Sequence, residues 1–286
     1  MAEQFRICPD TGLKNHRPAE SLMKANAVAA VVFLLIGGIY GLLVGLTLWP
    51  VVHLLPADWF YLTLTAHGLN VLIFWIIFFE IALLYFVSSV LLSCRIATPK
   101  IAWTGFVLML VGAGLNNYIV LTGQASVMMT SYAPMEAHPM FYLSLILFAV
   151  GALIGIFVFF GTLVIAKAEK TYEGSVSLVT FGGITAAVIA VFTIVSGAII
   201  LVPTLLWSLG FIAEIDALAY RLIWWGFGHS SQQINVSAQI AIWYAIAAIV
   251  FGAKPMSEKV SRMAFVIYIL FLQRCVTRDL DFVRWT

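Results

Sequence analysis

Six long apolar stretches, at residues 25–49, 61–92, 101–121, 140–166, 176–206 and 218–251, are separated by short polar connections, and a shorter seventh covers 264–272. Crossing a hydrocarbon layer takes roughly 20 residues of helix. The pattern therefore predicts an all-α, polytopic transmembrane bundle of about seven spans, the last too short to cross unaided. The polar head at 1–24 is too long, and the stretch behind it too extended, for a cleavable leader, so the first span is expected to stay in the membrane. Gly37, Gly38, Gly41, Gly151, Gly155, Gly182 and Gly183 fall inside the stretches, where small residues let helices approach closely. Packing is their expected role.

Composition agrees: 63% of the 286 residues are hydrophobic and 10% are charged, more apolar surface than a soluble core could bury. The formal net charge is only +2, spread over span ends, and gives no reason to expect a nucleic-acid partner; lipid is the solvent. Basic residues near span ends are retained on the cytoplasmic face. Eleven of them, Arg6, Lys14, Arg17, Lys24, Arg95, Lys100, Lys167, Lys170, Lys254, Lys259 and Arg262, fall on the side of the head, against Arg221 alone on the other. A multi-pass protein of a bacterial or archaeal inner membrane with a cytoplasmic N-terminus follows. Asp58, Glu136, Glu214 and Asp216 lie in the outer connections with Trp59, Phe60, Tyr132 and Trp207, as interfacial belts do. Cys8, Cys94 and Cys275 show no CxxC spacing and are expected to be bystanders.

Polar residues at membrane depth are expensive and call for an explanation. His67 lies roughly 10 Å, and His229 roughly 16 Å, below the outer boundary at helical rise, deep enough to serve one layer of chemistry in the outer half. Neutral imidazole commonly ligates haem iron and copper, although a lone membrane histidine also serves as an interhelical hydrogen-bonding group. Gly68 beside His67 would leave room for a flat macrocycle. His229 sits in Trp224-Trp225-Gly226-Phe227-Gly228-His229, followed by the polar stripe Gln232, Gln233, Asn235 and Ser237, which could lead protons or water inward. Glu80, thirteen residues past His67, is a candidate proton relay or a hydrogen-bonded neutral acid. Asn116 and Asn117 read as interhelical glue.

Thr65-Ala66-His67-Gly68, Trp225-Gly226-Phe227-Gly228-His229 and Ala137-His138-Pro139-Met140-Phe141-Tyr142 together resemble subunit I of the haem-copper oxidase superfamily, particularly its B-type branch, over residues 25–272. The resemblance implies about seven spans of a twelve-span fold. It makes His67 an axial ligand of the low-spin haem, and His229 a ligand of the active-site copper, or of its iron equivalent in nitric oxide reductases, beside a high-spin haem. It also implies a cytochrome c, cupredoxin or quinol electron donor and a subunit II-like partner.

Two departures qualify the likeness. Where the family places paired histidines, about fifty residues after His229, the sequence reads Cys275-Val276-Thr277-Arg278-Asp279. The text turns from apolar to charged after Gln273, so 273–286 reads as an atypical polar tail from a frameshift or truncation. Four residues past His229, where A-type and B-type oxygen reductases carry a cross-linked tyrosine, stands Gln233, unless a tyrosine from another span substitutes. The expected function is part of the catalytic subunit of a respiratory terminal oxidase that passes electrons through haem to dioxygen. The alternatives are nitric oxide reduction, which needs no such tyrosine, a catalytically silent truncated membrane protein, and an ion transporter using Glu80 and the His229 stripe.

Overall fold

In the computed structural model, which describes residues 4–282 and side chains as far as Phe271, the head is folded. Strands β1 (Phe5–Ile7) and β2 (Lys14–His16) form an antiparallel hairpin with Phe5 opposite His16. Helix α1 (Arg17–Leu48) starts directly behind it, with Pro18 in its first turn where a missing N–H costs nothing. The helix thus begins eight residues before the apolar stretch. The Arg6 guanidinium clamps both oxygens of Glu20 at 2.7 and 2.6 Å, tying hairpin to helix, and the same carboxylate receives Lys24 at 2.6 Å.

Six helices are long and apolar enough to cross a membrane among the described residues: α1, α2 (Ala57–Val90), α3 (Pro99–Leu121), α4 (Pro139–Ala168), α5 (Leu178–Ser208) and α6 (Ala217–Phe251). The first six sequence expectations match these within a few residues, apart from the earlier start of α1. The seventh stretch is part of α7 (Glu258–Phe282). Of the expected tail, the last four residues lie outside the described residues.

Local chemistry sets the starts. His138 accepts the Met140 N–H at its Nδ1, so the His-Pro pair that opens α4 is a cap followed by a proline at the first helical position. Ser177 caps α5 through the Thr180 N–H, and Asp216 caps α6 through the N–H groups of Leu218 and Ala219. At its other end α6 stops on Gly252 at φ 61°, a left-handed turn that glycine adopts without strain.

Packing follows the small residues. A Cβ at Gly112 would lie 2.6 Å from the Ser144 carbonyl oxygen, and one at Gly151 would lie 2.5 Å from that of Gly105, so α3 and α4 touch backbone to backbone. Gly155 and Gly183 instead receive the side chains of Ile81 and Val87 of α2. Gly38 departs from the expectation, since nothing lies within 4 Å of its Cβ position. At the junction of α1, α2 and α4, Phe33, Phe74, Phe78 and Phe148 interlock with ring centroids 4.9 to 5.7 Å apart. Asn70 and Asn117 exchange amide hydrogen bonds at 2.7 and 3.1 Å between α2 and α3, and Asn116 donates to Ser144 at 2.9 Å. Both asparagines are the interhelical links the sequence predicted.

Helix α2 is not a regular α-helix. Residues Asn70–Phe74 and Phe86–Val90 are π-helical, each carrying a locally widened turn.

Candidate functional site

His67 comes from the first third of α2 and turns toward α1. Its Nδ1 lies 2.8 Å from the Gly37 carbonyl oxygen, and that oxygen can only accept. Nδ1 therefore carries a proton, which makes Nε2 the ring nitrogen left to act as a ligand. This is the arrangement by which proteins orient a metal-binding histidine, with a backbone acceptor on one nitrogen fixing the tautomer that leaves the other free to ligate. Room for the ring comes from Gly41, where a Cβ would stand 2.7 Å from His67 Cε1 and 2.9 Å from Nδ1. At Gly68, where the sequence leads one to expect room for a flat macrocycle, a Cβ would lie 2.8 Å from the Cβ of Met129, so a loop packs against this glycine.

That loop, between α3 and α4, locks the far end of the bundle. The Met128 N–H donates to Thr65 Oγ1 at 2.9 Å, two residues from His67. On its other side Ser131 and the Tyr220 hydroxyl are 2.9 Å apart, and Tyr132 packs edge-on to Trp224 of α6 at 5.7 Å. The loop thus joins the helix of His67 to the helix of His229. Nothing in its own sequence signals this, because the contacts depend on which helices happen to flank it.

His229 lies on the exposed side of α6 with its ring on Trp225, centroids 4.8 Å apart. Arg221, Trp225, His229, Gln232, Val236, Gln239 and Trp243 are all exposed, at the three- and four-residue spacing of one helix face. The two histidines therefore occupy different faces, one against α1 and one outward from α6, and the structure does not bring them together. Among the described residues, no three His, Cys, Asp or Glu side chains converge on a common point.

The stripe expected behind His229 is also divided. Gln232 is exposed and accepts from Asn235 at 3.4 Å. Ser237 donates to the Gly182 carbonyl at 3.1 Å, which makes it a clasp between α6 and α5. Gln233 faces α7 and accepts a hydrogen bond from the Tyr268 hydroxyl. Only Asn235 turns into the bundle. There it lines a cavity of about 80 Å³ between α2, α4, α5 and α6 together with Glu80, Ser131, Thr193 and Ser231. Glu80 Oε1 and Asn235 Oδ1 are both buried without a partner. A water needs about 15 Å³ of such space, so the cavity is large enough for several.

A helical membrane bundle of this form is an architecture with known parallels. The fold superposes on a chain of a haem-copper terminal oxidase dimer solved by cryo-EM, with a TM-score of 0.80 and 23% identity over 88% of this chain and 44% of that one. Cytochrome c oxidase subunit 1 of Thermus thermophilus is 25% identical over 217 residues, 74% of this chain and 37% of the relative. The chain thus spans less than half the length of either. The family model described as Cytochrome C and Quinol oxidase polypeptide I matches residues 21–274, and the chain belongs to that family. It is a multi-pass membrane protein of the haem-copper oxidase type.

Proposed function

We propose that this chain forms part of the catalytic subunit of a respiratory terminal oxidase, in which His67 is an axial ligand of a low-spin haem and His229 a ligand of the active-site copper. The observation that carries this reading is the Nδ1 bond from His67 to the Gly37 carbonyl, which leaves Nε2 as the free nitrogen. One-electron transfer is what a haem supplies when bound there. The chain itself holds the imidazole in one tautomer through Gly37, gives the ring its place through Gly41 and braces the end of α2 through Thr65 and Met128.

Proton delivery belongs to Glu80 and Asn235, which line the same cavity as Ser231 and each bury an oxygen without a partner. Gln232, Gln233 and Ser237 stand outside that route. The exposed polar face around His229 is costly in lipid. It fits coverage by further spans of a longer subunit or by a subunit II-like partner, with cytochrome c, a cupredoxin or quinol as electron donor and the N-terminus in the cytoplasm.

Dioxygen is the favoured substrate. Gln233 itself favours nitric oxide, but its partner is a phenol: Tyr268 of α7 reaches the position next to the expected active-site tyrosine and offers the electron and proton that glutamine lacks. A reduced-minus-oxidised difference spectrum of the purified chain tests the core of the proposal. A low-spin haem signal that disappears in His67→Ala supports it, and a chain that binds no haem, or a spectrum unchanged by the substitution, refutes it. Consumption of dioxygen and of nitric oxide by membranes carrying the parent or Tyr268→Phe then separates the two substrates. Loss of dioxygen uptake alone is the expected result.

A further inference from the structure

A second groove, unconnected with the histidines, runs along the outer surface between α1 and α3. Lys24, Ala25, Val28, Val32 and Ile36 form its α1 wall, and Phe106, Leu110, Gly114 and Asn117 form its α3 wall. We propose that it is a binding site for one acyl chain of an anionic phospholipid, whose headgroup is held at Lys24.

Three observations identify the occupant. The first is length. From Lys24 to Ile36 is twelve residues, about 18 Å of helix at 1.5 Å rise, and one leaflet of hydrocarbon is about 15 Å deep. Along α1 the groove starts where the apolar stretch starts and ends at Ile36, near the middle of that stretch; Asn117, whose amide is engaged by Asn70, closes the α3 wall. It spans one leaflet, as a single acyl chain does.

The second is volume. The groove offers about 640 Å³. A helix about 10 Å across and 18 Å long needs roughly twice that, so a transmembrane segment of another polypeptide does not enter it. A flexible chain does.

The third is charge, and it is confined to one end. Glu20 is already clamped by Arg6 through both oxygens, so Lys24, which shares one of them and is 72% exposed at its side chain, leaves a surplus positive charge at the mouth. Lys100 lies six residues before Phe106, about 9 Å further out along α3. Trp103, exposed and edge-on to Phe106 at 5.5 Å, marks the same level as interfacial. Deeper in, the walls are apolar. A cation at headgroup depth over a leaflet-long apolar slot is the complement of an anionic lipid, and it lies on the side where the basic residues of the whole chain collect.

Gly114 gives the test a clean handle. Nothing lies within 4 Å of its Cβ position, so Gly114→Leu fills the slot without pushing on the fold; Gly38→Leu, equally unobstructed but outside the groove, is the control. The purified 286-residue chain is exchanged into detergent with dipalmitoyl phosphatidylglycerol or dipalmitoyl phosphatidylcholine, and retained lipid is counted by native mass spectrometry. The parent and Gly38→Leu are expected to keep one phosphatidylglycerol. Gly114→Leu is expected to lower its retention about tenfold, the effect of displacing about two methylenes. Lys24→Gln is expected to remove an about fivefold preference for the anionic lipid, the contribution of one lysine near a membrane surface. Equal retention of both lipids by the parent overturns the proposal, as does undiminished binding by Gly114→Leu. So does a cross-link from Val28→Cys in intact membranes into a polypeptide instead of lipid.

Discussion

Gly41 controls the orientation of His67, and replacing it with alanine isolates that control. The new Cβ would stand 2.7 Å from Cε1 and 2.9 Å from Nδ1 of the ring. Carbon atoms rest about 3.5 to 4.0 Å apart, so the imidazole has to retreat from α1 by about 1 Å. Gly37 lies on the same helix, so the retreat lengthens the 2.8 Å bond to its carbonyl beyond the roughly 3.2 Å limit of an N–H···O bond. The direct loss is about 1 kcal/mol for one hydrogen bond. The larger effect falls on the free nitrogen: removing the partner that orients a metal-binding histidine typically lowers metal affinity about 10- to 100-fold. Gly38→Ala, with nothing near its Cβ, is the matched control on the same helix. Haem is titrated into both variants, the low-spin signal is followed, and thermal unfolding confirms that each folds. Equal haem affinity for Gly41→Ala and Gly38→Ala would refute the reasoning, because the ring would then owe nothing to the bond with Gly37.

Three further outcomes follow from the same geometry. Gly112→Ala pushes on two backbone atoms, the Ser144 carbonyl oxygen and the Phe148 nitrogen, and is expected to cost about 1–3 kcal/mol, while Gly114→Ala two residues on is neutral; parallel melts in detergent that show no difference would contradict the backbone contact. In a Cys275→Ser background, maleimide is expected to label Cys8, whose thiolate is favoured by hydrogen bonding from Thr11. It will spare Cys94, which is buried and pushed up to about 11, so that roughly one molecule in a thousand carries the thiolate at pH 8. His16 is 2% exposed and accepts the Ile96 N–H at 3.3 Å; burial, reinforced by Arg95, lowers its pKa below the usual 6.5. The unfolded hairpin therefore binds the proton more tightly, and the docking His16 provides is present above about pH 6.5 and lost as pH falls below it. Amide exchange over Phe5–Ile7, corrected for its intrinsic rate, is expected to quicken from pH 7 to 5, and a flat profile would count against the contact.

The spans were legible because lipid imposes a single demand, a long apolar helix, that any window of the sequence displays. The two histidines and Glu80 were legible for the converse reason, since each violates that demand. The partners of those residues were hidden. Gly37 and Gly41 read as ordinary packing glycines, and only the crossing of α1 over α2 makes one an acceptor and the other a recess for His67. That Met129 packs on Gly68 was hidden too, because proximity in sequence says nothing about which side of a helix a loop will cover. The division of the stripe behind His229 was hidden likewise: residues 232, 233, 235 and 237 point in different directions around a helix, to the exposed face, α7, the cavity and α5. The hairpin at 5–16 gave no period to detect, being two strands of three residues each.

The π-helical turn at Asn70–Phe74 bears on how this chain is to be aligned with its relatives. A π turn is what one surplus residue leaves behind when the helix on both sides keeps its place. Thirteen residues separate His67 from Glu80, and a regular helix would rotate one from the other by about 220° at 100° per residue. With one residue absorbed in the widened turn, the rotation is that of twelve, about 120°, which is how the imidazole meets α1 while the carboxyl enters the cavity by α5 and α6. In a relative lacking the bulge, the residue occupying the position of Glu80 is therefore found twelve places after the histidine, and an alignment that refuses a gap at 70–74 will pair Glu80 with a neighbour that faces elsewhere.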